Sequence, residues 1–427
     1  MLVWSRYNHL FEKDSEFFIY NSLSNSFALV PKGIYSYLIK CKVGKTVDGL
    51  PKETIDDLKR MKALVISDET ERLRIKHETQ RHRFSNSQLI LTVCPTLSCN
   101  FRCGYCFEQN HPDINMDDDT ENRLIDFIKS RTLITGIGMT WFGGEPLLQF
   151  RRIESLTEKI FAIGKNYSAG IITNGFLLNE KIAEKLSYLK INRIQITLDG
   201  LETTHDKRRV LKNGGPTFHR IIENIAVTTE TSPQTHISIR VNIDKDNTED
   251  YLRIFEYIQS QHWKNVSIHP AFVEKITKNH CGYTLSPEVR MKLIHHYADK
   301  TNTPSNGFYP DGIRDECAIR NINSYVIGPK GEIYKCWNDV GDPDRVVGNI
   351  NGKITNEALL LDYLTGADPL EDPKCMECIL LPICGGGCPY ERLKKSPDHD
   401  ICPLLKNNLN DFLWKKYLKQ KSYMGNM

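Results

Sequence analysis

The chain has 427 residues with a formal net charge of +3, and 40% of its residues are hydrophobic and 26% are charged. This length predicts two to four domains, and the composition excludes a disordered or fibrous protein. No apolar run reaches the roughly 20 residues that a membrane helix needs, and the balanced charge predicts no nucleic-acid partner. The start of the chain lacks the basic and apolar segments of a signal peptide, so we expect a cytoplasmic protein.

Residues 1–84 differ in pattern from the rest of the chain and predict a small first domain with a linker. The run FFIYNSLSNSFALV (17–30) alternates like a hairpin, and two helices that begin with proline are predicted over residues 31–40 and 51–67. The charged stretch 69–84 is interpreted as a solvated linker helix rather than a nucleic-acid-binding segment.

Residues 85–300 alternate β-rich runs with helical stretches and predict an α/β domain. Strands are predicted over residues 89–93, 137–142, 170–175, 193–200, 236–243 and 265–273. Helices are predicted over residues 117–131, 150–164, 179–189, 217–229 and 248–260, with a sixth that opens at Ser286 and Pro287. Six successive strand–helix units predict a parallel sheet with crossover helices, either open or closed into a partial barrel. In such sheets the functional residues lie at the carboxyl ends of the strands.

Residues 301–427 are rich in Gly, Pro and Cys, and they predict a third domain with little regular periodicity. A small hairpin is predicted over residues 328–337, and a packing helix near residues 403–420.

The 13 cysteines point to metal binding or thiol chemistry, because no export signal places the chain in an oxidising compartment. Three of them, Cys99, Cys103 and Cys106, follow the first predicted strand of the α/β domain. Three thiolates can hold a four-iron cluster and leave one iron open to a substrate or cofactor. A zinc knuckle completed by a remote ligand is the alternative. Cys41 and Cys94 are interpreted as packing residues.

The CNFRCGYC loop, with Tyr105 before its last cysteine, resembles the CxxxCxxC signature of radical S-adenosylmethionine (SAM) enzymes. The resemblance implies that the three cysteines hold a [4Fe–4S] cluster whose fourth iron is chelated by SAM. Reductive cleavage of SAM would then yield a 5′-deoxyadenosyl radical that abstracts hydrogen from the substrate. It also implies a partial (β/α)6 TIM-like barrel for residues 85–300.

Further segments at the predicted strand ends are similar to motifs of the same family. They include GGEP at residues 143–146 and a stretch with His205, Asp206 and Arg208 that is common in peptide-modifying members. The resemblance predicts these contacts to SAM: Tyr105, Gly143, Gly144, Glu145, Pro146, Thr173, Asn174, Asp199, Arg240 and Asn242. For Asp199 and Arg240, a purely structural hydrogen bond at the strand end is the alternative.

Seven cysteines in the last quarter of the chain match the spacing of the SPASM domain, which in this family holds auxiliary clusters. The resemblance assigns a first auxiliary [4Fe–4S] cluster to Cys317, Cys336 and Cys388. It assigns a second to Cys375, Cys378, Cys384 and Cys402, which makes three clusters in total. From the residues alone a zinc ribbon is the alternative, although seven thiolates exceed one tetrahedral zinc. The first auxiliary cluster lacks one ligand, so either its iron is open or a remote group such as Cys281 closes it.

These resemblances favour a maturase that forms a thioether or another side-chain cross-link in a ribosomally made precursor peptide. Residues 1–84 resemble a winged-helix-like unit that would bind the leader of that peptide by strand addition. A ferredoxin or flavodoxin would supply low-potential electrons. The acid or base is open, with Asp339, Asp311, Tyr334 and Cys281 as candidates.

Two alternatives stay open at this point. One is an anaerobic sulfatase-maturating enzyme, but that group carries a catalytic Asp directly after the cysteine that matches Cys336, where this chain has Trp337. The other is a non-catalytic metal-cluster scaffold protein.

Overall fold

The computed structural model describes residues 2–106, 108, 112–274, 284–301, 317–394 and 402–424. The chain divides into two compact units. We call residues 1–85, 303–322 and 361–427 the terminal unit, and residues 86–302 and 323–360 the sheet unit. The three domains expected from the sequence, 1–84, 85–300 and 301–427, stay a prediction. Within the described ranges, no helix is long and apolar enough to cross a membrane.

The terminal unit begins with two small sheets and three helices. Strand β1 (Val3–Trp4) pairs with β5 (Leu64–Val65), and the antiparallel sheet has the order β2–β3–β4. The remaining elements of this region are β2 (Asn8–Lys13), β3 (Glu16–Asn21), β4 (Ser26–Leu29), α1 (Lys32–Leu38), α2 (Lys52–Arg60) and α3 (Asp68–Arg83). The hairpin and both helix starts are confirmed, whereas β2 was not predicted.

Two predictions for this region are wrong in part. The helix expected over residues 51–67 ends at Arg60, because Lys62 takes a positive φ of 60° and the chain returns as β5. The helix expected to be solvated, α3, buries Glu71, Ile75 and Arg83. Arg83 pairs with Asp368, so its charge is compensated inside the unit.

The sheet unit contains six parallel strands hydrogen-bonded in chain order. They are β6 (Gln88–Val93), β7 (Gly136–Trp141), β8 (Asn166–Thr173), β9 (Ile191–Thr197), β10 (His236–Ile243) and β11 (Val266–Phe272). The helices are α4 (Asp118–Lys129), α5 (Phe150–Phe161), α6 (Glu180–Leu186), α7 (Glu202–Arg208), α8 (Phe218–Thr231), α9 (Asp250–Ser260) and α10 (Pro287–Thr301). The predicted parallel α/β architecture is confirmed; α7 was not predicted.

Three short strands extend this sheet beyond β6. Strand β12 (Ser324–Ile327) lies parallel to β6 and antiparallel to β13 (Glu332–Tyr334), and β14 (Gly348–Asn349) follows β13. The predicted hairpin over residues 328–337 is therefore present, but its attachment to the main sheet was not foreseen.

Strand β10 shows how the sequence gives this sheet two different faces. Its apolar residues Ile237, Ile239, Val241 and Ile243 are fully buried, whereas the alternate positions are polar and only partly buried. Successive side chains of a strand point to opposite faces, so one face of the sheet packs and the other is polar. A parallel strand covered on both faces reads as continuously apolar. The polar face therefore indicates a site.

The terminal unit closes with short helices and one long helix. After α11 (Glu357–Thr365) come α12 (Pro373–Met376), α13 (Leu381–Cys384), α14 (Pro389–Lys394) and α15 (Leu409–Met424). The predicted last helix is present, but its first turn is a separate 3-10 turn at Leu404–Asn407. Leu409, Leu413 and Tyr417 of α15 pack with Phe11 and Phe18 of the antiparallel sheet.

Candidate active site

A cavity of about 320 Å³ opens in the sheet unit beyond the carboxyl ends of β7 to β11. The structure brings to it these residues that the sequence predicted for the first cluster and for SAM: Cys99, Cys103, Cys106, Tyr105, Gly143, Gly144, Thr173, Asn174, Arg240 and Asn242. The other three, Glu145, Pro146 and Asp199, are buried and do not line it. The strand ends therefore gather these residues as parallel-sheet geometry leads one to expect.

The three cysteines of the loop after β6 form a set of sulfur donors, of which Cys99 is buried and Cys103 and Cys106 are partly exposed. Cys99 is 8% exposed and its sulfur accepts from the Phe101 N–H at 3.4 Å. Burial raises the pKa of Cys99 and of Cys106 to about 12, so without a nearby cation these thiols keep their protons. Soft sulfur donors of this kind fit an iron–sulfur cluster, whose irons favour the thiolate form. Among the described residues, no group of three His, Cys, Asp or Glu side chains surrounds a single-ion site.

The paired glycines at the end of β7 allow a close approach within the protein itself. A Cβ on Gly143 would overlap the Thr96 carbonyl oxygen, and one on Gly144 would overlap the Ser98 carbonyl oxygen. In addition, the Glu145 N–H donates to the Ser98 carbonyl at 2.8 Å. The glycines therefore let the β7 end pack directly on the segment that leads into Cys99, besides lining the cavity.

The Glu145 carboxylate joins the ends of β7 and β8. Its oxygens accept from the Thr173 hydroxyl at 2.6 Å, the Asn174 N–H at 2.7 Å and the Leu147 N–H at 3.0 Å. Burial raises the pKa of Glu145, and these three donors oppose that shift. Protein groups already use both oxygens, and the contact of Glu145 with SAM stays a prediction.

Tyr105 is held in the cavity wall by two donors. Its hydroxyl accepts from Arg209 Nη1 at 2.7 Å and from Asn242 Nδ2 at 3.2 Å. Arg209 is 8% exposed and lines the cavity, and its Nε has no hydrogen-bond partner among the described residues. A buried guanidinium with an unused donor favours an anionic ligand.

Asp199 forms hydrogen bonds within the protein at the end of β9, as its structural interpretation predicted. Its carboxylate accepts from Arg208 Nε at 3.1 Å and from the Asn242 N–H at 3.3 Å. Its own N–H donates to His205 Nδ1 at 3.3 Å, which makes His205 a neutral ring that donates from Nε2 to Thr217. Burial lowers the pKa of His205 well below its usual value, in agreement with that neutral form.

The sequence did not indicate several residues that line the cavity, and Arg209 is the most informative. Arg208 was singled out instead, because α7 was not predicted and no helical period could separate the two neighbours. The polar alternation of β9 offered a usable signal for Gln195 and Thr197. Trp337 also lines the cavity, with its ring centroid 5.3 Å from that of Phe142.

The candidates for the acid or base divide into two groups. Asp339 and Tyr334 are 1% and 3% exposed and do not line the cavity, and the Asp339 carboxylate lies 3.9 Å from Arg345. Asp311 and Cys281 lie outside the described residues.

A second cysteine-lined cavity, of about 330 Å³, lies within the terminal unit. The four cysteines expected for one auxiliary cluster line it together: Cys375, Cys378, Cys384 and Cys402. Of the other set, Cys317 and Cys388 are exposed residues of the terminal unit, and Cys336 follows β13 in the sheet unit. The donor set of the 330 Å³ cavity, four thiols in one enclosure, fits an iron–sulfur cluster.

Residues 93–258 match the family model of the radical SAM superfamily. The chain therefore carries a radical SAM domain, and the family implies a [4Fe–4S] cluster and SAM. The matched segment includes the three-cysteine loop and the ends of β7 to β10, which form most of the 320 Å³ cavity.

Within that superfamily the chain is related to anaerobic sulfatase-maturating enzymes. It is 23% identical over 348 residues to the serine-type enzyme of Bacteroides thetaiotaomicron, covering 70% of this chain and 82% of that protein. It is 24% identical over 344 residues to the cysteine-type enzyme of Clostridium novyi, covering 73% and 89%. A 133-residue segment, 30% of this chain, is 41% identical to an uncharacterized protein of Methanocaldococcus jannaschii but spans only 43% of that protein.

Solved structures share the fold at low identity. The structure of anSMEcpe with bound AdoMet and Cp18Cys peptide has a TM-score of 0.59 at 18% identity, covering 79% of this chain and 99% of that one. Streptococcus suis SuiB bound to the precursor peptide SuiA has a TM-score of 0.54 at 15% identity, covering 95% and 99%.

Proposed function

We propose that this chain is a radical SAM maturase that removes hydrogen from a ribosomally made precursor peptide and forms a thioether or another side-chain cross-link. The observation that carries the proposal is the cavity at the strand ends, where three cysteines, Tyr105 and polar side chains of β8 to β10 converge. A carbon-centred radical needs an enclosed site that keeps other reactants out.

Residues of this cavity divide into those that hold the cofactors and those that exclude water. Cys99, Cys103 and Cys106 would hold the cluster, which with SAM supplies a radical that abstracts hydrogen. Phe142 and Trp337 form an apolar part of the wall. An apolar wall lowers the local dielectric and strengthens the polar contacts inside.

Arg209 is the residue we assign to the SAM carboxylate. Its guanidinium is buried in the cavity wall, one of its donors goes to Tyr105, and its Nε is unpartnered. A carboxylate placed there would receive a charge-assisted hydrogen bond and would compensate the buried charge. Arg240, which is also predicted to contact SAM, donates from Nε to the Asn242 side chain at 2.8 Å.

The N-terminal sheet supports a peptide partner. Strand β4 is an edge strand, and the Val30 N–H donates inward to the Phe17 carbonyl at 2.9 Å. Alternation along the strand then turns the N–H groups of Phe27 and Leu29 to the outer edge. An extended leader peptide can add there as a fourth strand. SuiB, whose likeness covers 95% of this chain, was solved with a precursor peptide.

Sulfatase maturation is the second candidate, since two relatives that match over more than 80% of their own length are sulfatase-maturating enzymes. Trp337 argues against it, because the residue after Cys336 lines the cavity with an indole instead of a carboxylate. Asp339 does not substitute, because it is buried outside the cavity lining.

The proposal includes two auxiliary [4Fe–4S] clusters, which with the cluster of the three-cysteine loop make three. Their ligands would be Cys317, Cys336 and Cys388 for the first, and Cys375, Cys378, Cys384 and Cys402 for the second. A low-potential ferredoxin or flavodoxin would reduce the enzyme in the cytoplasm. A scaffold that only binds clusters is the remaining alternative. It would need neither the unpartnered Arg209 donor nor an apolar wall around the cysteines.

The test is an anaerobic reaction of the iron-loaded full chain with SAM, dithionite and peptide. Two peptides are compared: a short cysteine-containing peptide encoded beside the gene, and a cysteine-type sulfatase peptide. We expect 5′-deoxyadenosine and loss of a pair of hydrogens from the first peptide, measured by mass spectrometry. An aldehyde in the sulfatase peptide would instead establish the second candidate, and absence of 5′-deoxyadenosine would establish the scaffold.

The same reaction tests the leader site with a matched pair of variants. Leu29→Pro removes an outward N–H on an edge strand, where proline is tolerated, and Leu29→Ala keeps that N–H. We expect the proline variant to process the peptide several-fold less well while it cleaves SAM normally. Equal processing by both variants would contradict strand addition at β4.

A further inference from the structure

We propose that Lys406 and Arg392 tune the four-cysteine cavity toward electron acceptance by donating hydrogen bonds to two of its sulfurs. This inference rests on the proposed function, because it takes the four cysteines of the terminal unit to hold an auxiliary iron–sulfur cluster. Neither side chain is itself a ligand of the cluster.

Arg392 lies against the first sulfur and is almost fully buried, with 6% of its side chain exposed. Its Nη1 donates to Cys375 Sγ at 3.5 Å, and its Nη2 donates to the Asp372 carboxylate at 2.9 Å. Nε reaches the Ala367 carbonyl at 2.8 Å. The guanidinium is thus fixed on three sides and cannot turn away from the sulfur.

Lys406, four residues after Cys402 in the sequence, provides the second cation. Its Nζ donates to Cys402 Sγ at 3.3 Å, and its side chain is exposed. Charged donors therefore reach two of the four sulfurs, those of Cys375 and Cys402.

The rest of the enclosure is apolar. Cys378 and Cys384 pack against the hydrophobic cluster that contains Leu380, Leu409 and Leu413. Arg392 is buried but shares its charge with Asp372, whereas Lys406 is exposed and acts on Cys402 through its direct contact. Hydrogen bonds and positive charge at cluster sulfurs stabilise the reduced, more negative state, which raises the reduction potential.

The chain offers a matched control for Lys406. Lys374 lines the same cavity and carries the same charge, but it makes no hydrogen bond to a sulfur in the described part of the chain. A direct contact should matter more than a charge at the rim, which solvent screens. The comparison of Lys406→Met with Lys374→Met therefore separates the two effects.

The experiment is an EPR-monitored redox titration of the iron-loaded full chain with Cys103→Ala, so that the three-cysteine loop contributes no cluster signal. The part of the reduced signal lost on further Cys378→Ala substitution belongs to the four-cysteine centre. For that part we expect Lys406→Met to shift the midpoint to more negative potential. The expected size is about tenfold in the ratio of reduced to oxidised centre, or about 59 mV for one electron.

The outcomes separate this inference from the proposed function. If Cys378→Ala removes neither iron nor signal, the four cysteines hold no cluster and that part of the proposed function fails. If the signal is assigned but Lys406→Met leaves the midpoint unchanged, or shifts it no more than Lys374→Met does, the inference is overturned. Lys406→Arg should restore the wild-type midpoint.

Discussion

The two cysteine-lined cavities differ in how they use a buried arginine. In the sheet unit, Arg209 leaves its Nε unpartnered beside three cysteines. In the terminal unit, Arg392 lies beside four cysteines. All of its nitrogens donate hydrogen bonds, to two backbone carbonyls, a carboxylate and a sulfur. An unused donor is costly without a ligand, whereas a saturated one stabilises the fold. The unused donor of Arg209 favours an anionic ligand in the first cavity, whereas the saturated Arg392 fixes the lining of the second.

The largest effect is expected from a substitution at the paired glycines beside the first cavity. Gly144→Ala places a Cβ against the carbonyls of Leu97 and Ser98, which cannot move aside as a flexible side chain would. We expect a loss of about 3 kcal/mol or more in the free energy of unfolding, together with loss of iron from the three-cysteine loop. Thermal unfolding and iron analysis measure both.

Gly104→Ala is the control within the same loop, since a Cβ there meets nothing within 4 Å. It should unfold at the wild-type temperature and bind wild-type iron. If both variants had the same melting temperature and iron content, close packing between the end of β7 and the cysteine segment would not explain why residue 144 is glycine.

The next effect exchanges each arginine for methionine. Arg209→Met should weaken SAM binding by roughly 10- to 100-fold, the range expected for one charge-assisted hydrogen bond. Calorimetric titration of the iron-loaded chain measures it. The melting temperature of the iron-free chain should not fall, because an incompletely paired buried charge is removed.

We expect Arg392→Met to lower the melting temperature and to leave SAM affinity unchanged, the opposite pattern to Arg209→Met. The reason is that the substitution removes the contacts to Ala367, Gly386 and Asp372. Normal SAM binding by Arg209→Met would contradict the assignment of its carboxylate partner, and a stable Arg392→Met chain would remove the contrast between the two cavities.

The smallest effect concerns the hydrophobic cluster next to Cys375. Tyr7, Ile75 and Leu381 form that cluster, Cys375 packs against it, and Glu71 lies one turn before Ile75 on α3. Burial raises the pKa of Glu71 to about 7, with opposing contributions from the Ser5 hydrogen bond and from Arg6.

The raised pKa makes stability fall as pH rises. Between about pH 4.5 and 7 the folded chain keeps a proton that the unfolded chain has lost, so wild type should lose at most about 3 kcal/mol over that window. Glu71→Gln should remove this loss, raising the melting temperature at pH 8 by a few degrees and leaving it unchanged at pH 4. Glu78→Gln, at an exposed position of the same helix, should change neither value. If the melting temperature of wild type rose from pH 5 to pH 8 relative to that of Glu71→Gln, the predicted effect of the raised Glu71 pKa would be refuted.

The sequence predicted the sheet unit well where periodicity was strong. Strand β10 alternates so regularly that its predicted and observed limits agree at His236 and Ile243. The cysteine loop and the GGEP turn follow strands, so parallel-sheet geometry places them in one cavity.

What the sequence could not show depends on distant contacts. The pairing of β12 with β6 joins residues more than 200 positions apart, and no local pattern encodes it. Glu71 and Arg83 look like solvated charges in a polar helix, and only their partners Ser5 and Asp368 reveal why they are buried. Arg209 was missed for a local reason, because it follows a short, highly charged helix in which no apolar period separates Arg208 from its neighbour.

The salt bridge between Arg6 and Glu377 has a consequence for how the protein is made. The two residues are 371 positions apart, and Arg6 also donates to the Met376 carbonyl, which belongs to the cysteine segment. At roughly 5–20 residues per second, a ribosome needs about 20 to 75 s to synthesise the intervening chain. The first strands must wait through that interval without their partners. The four cysteines that line the 330 Å³ cavity are synthesised at the end of that interval or after it, so this cavity forms long after the first strands have been made.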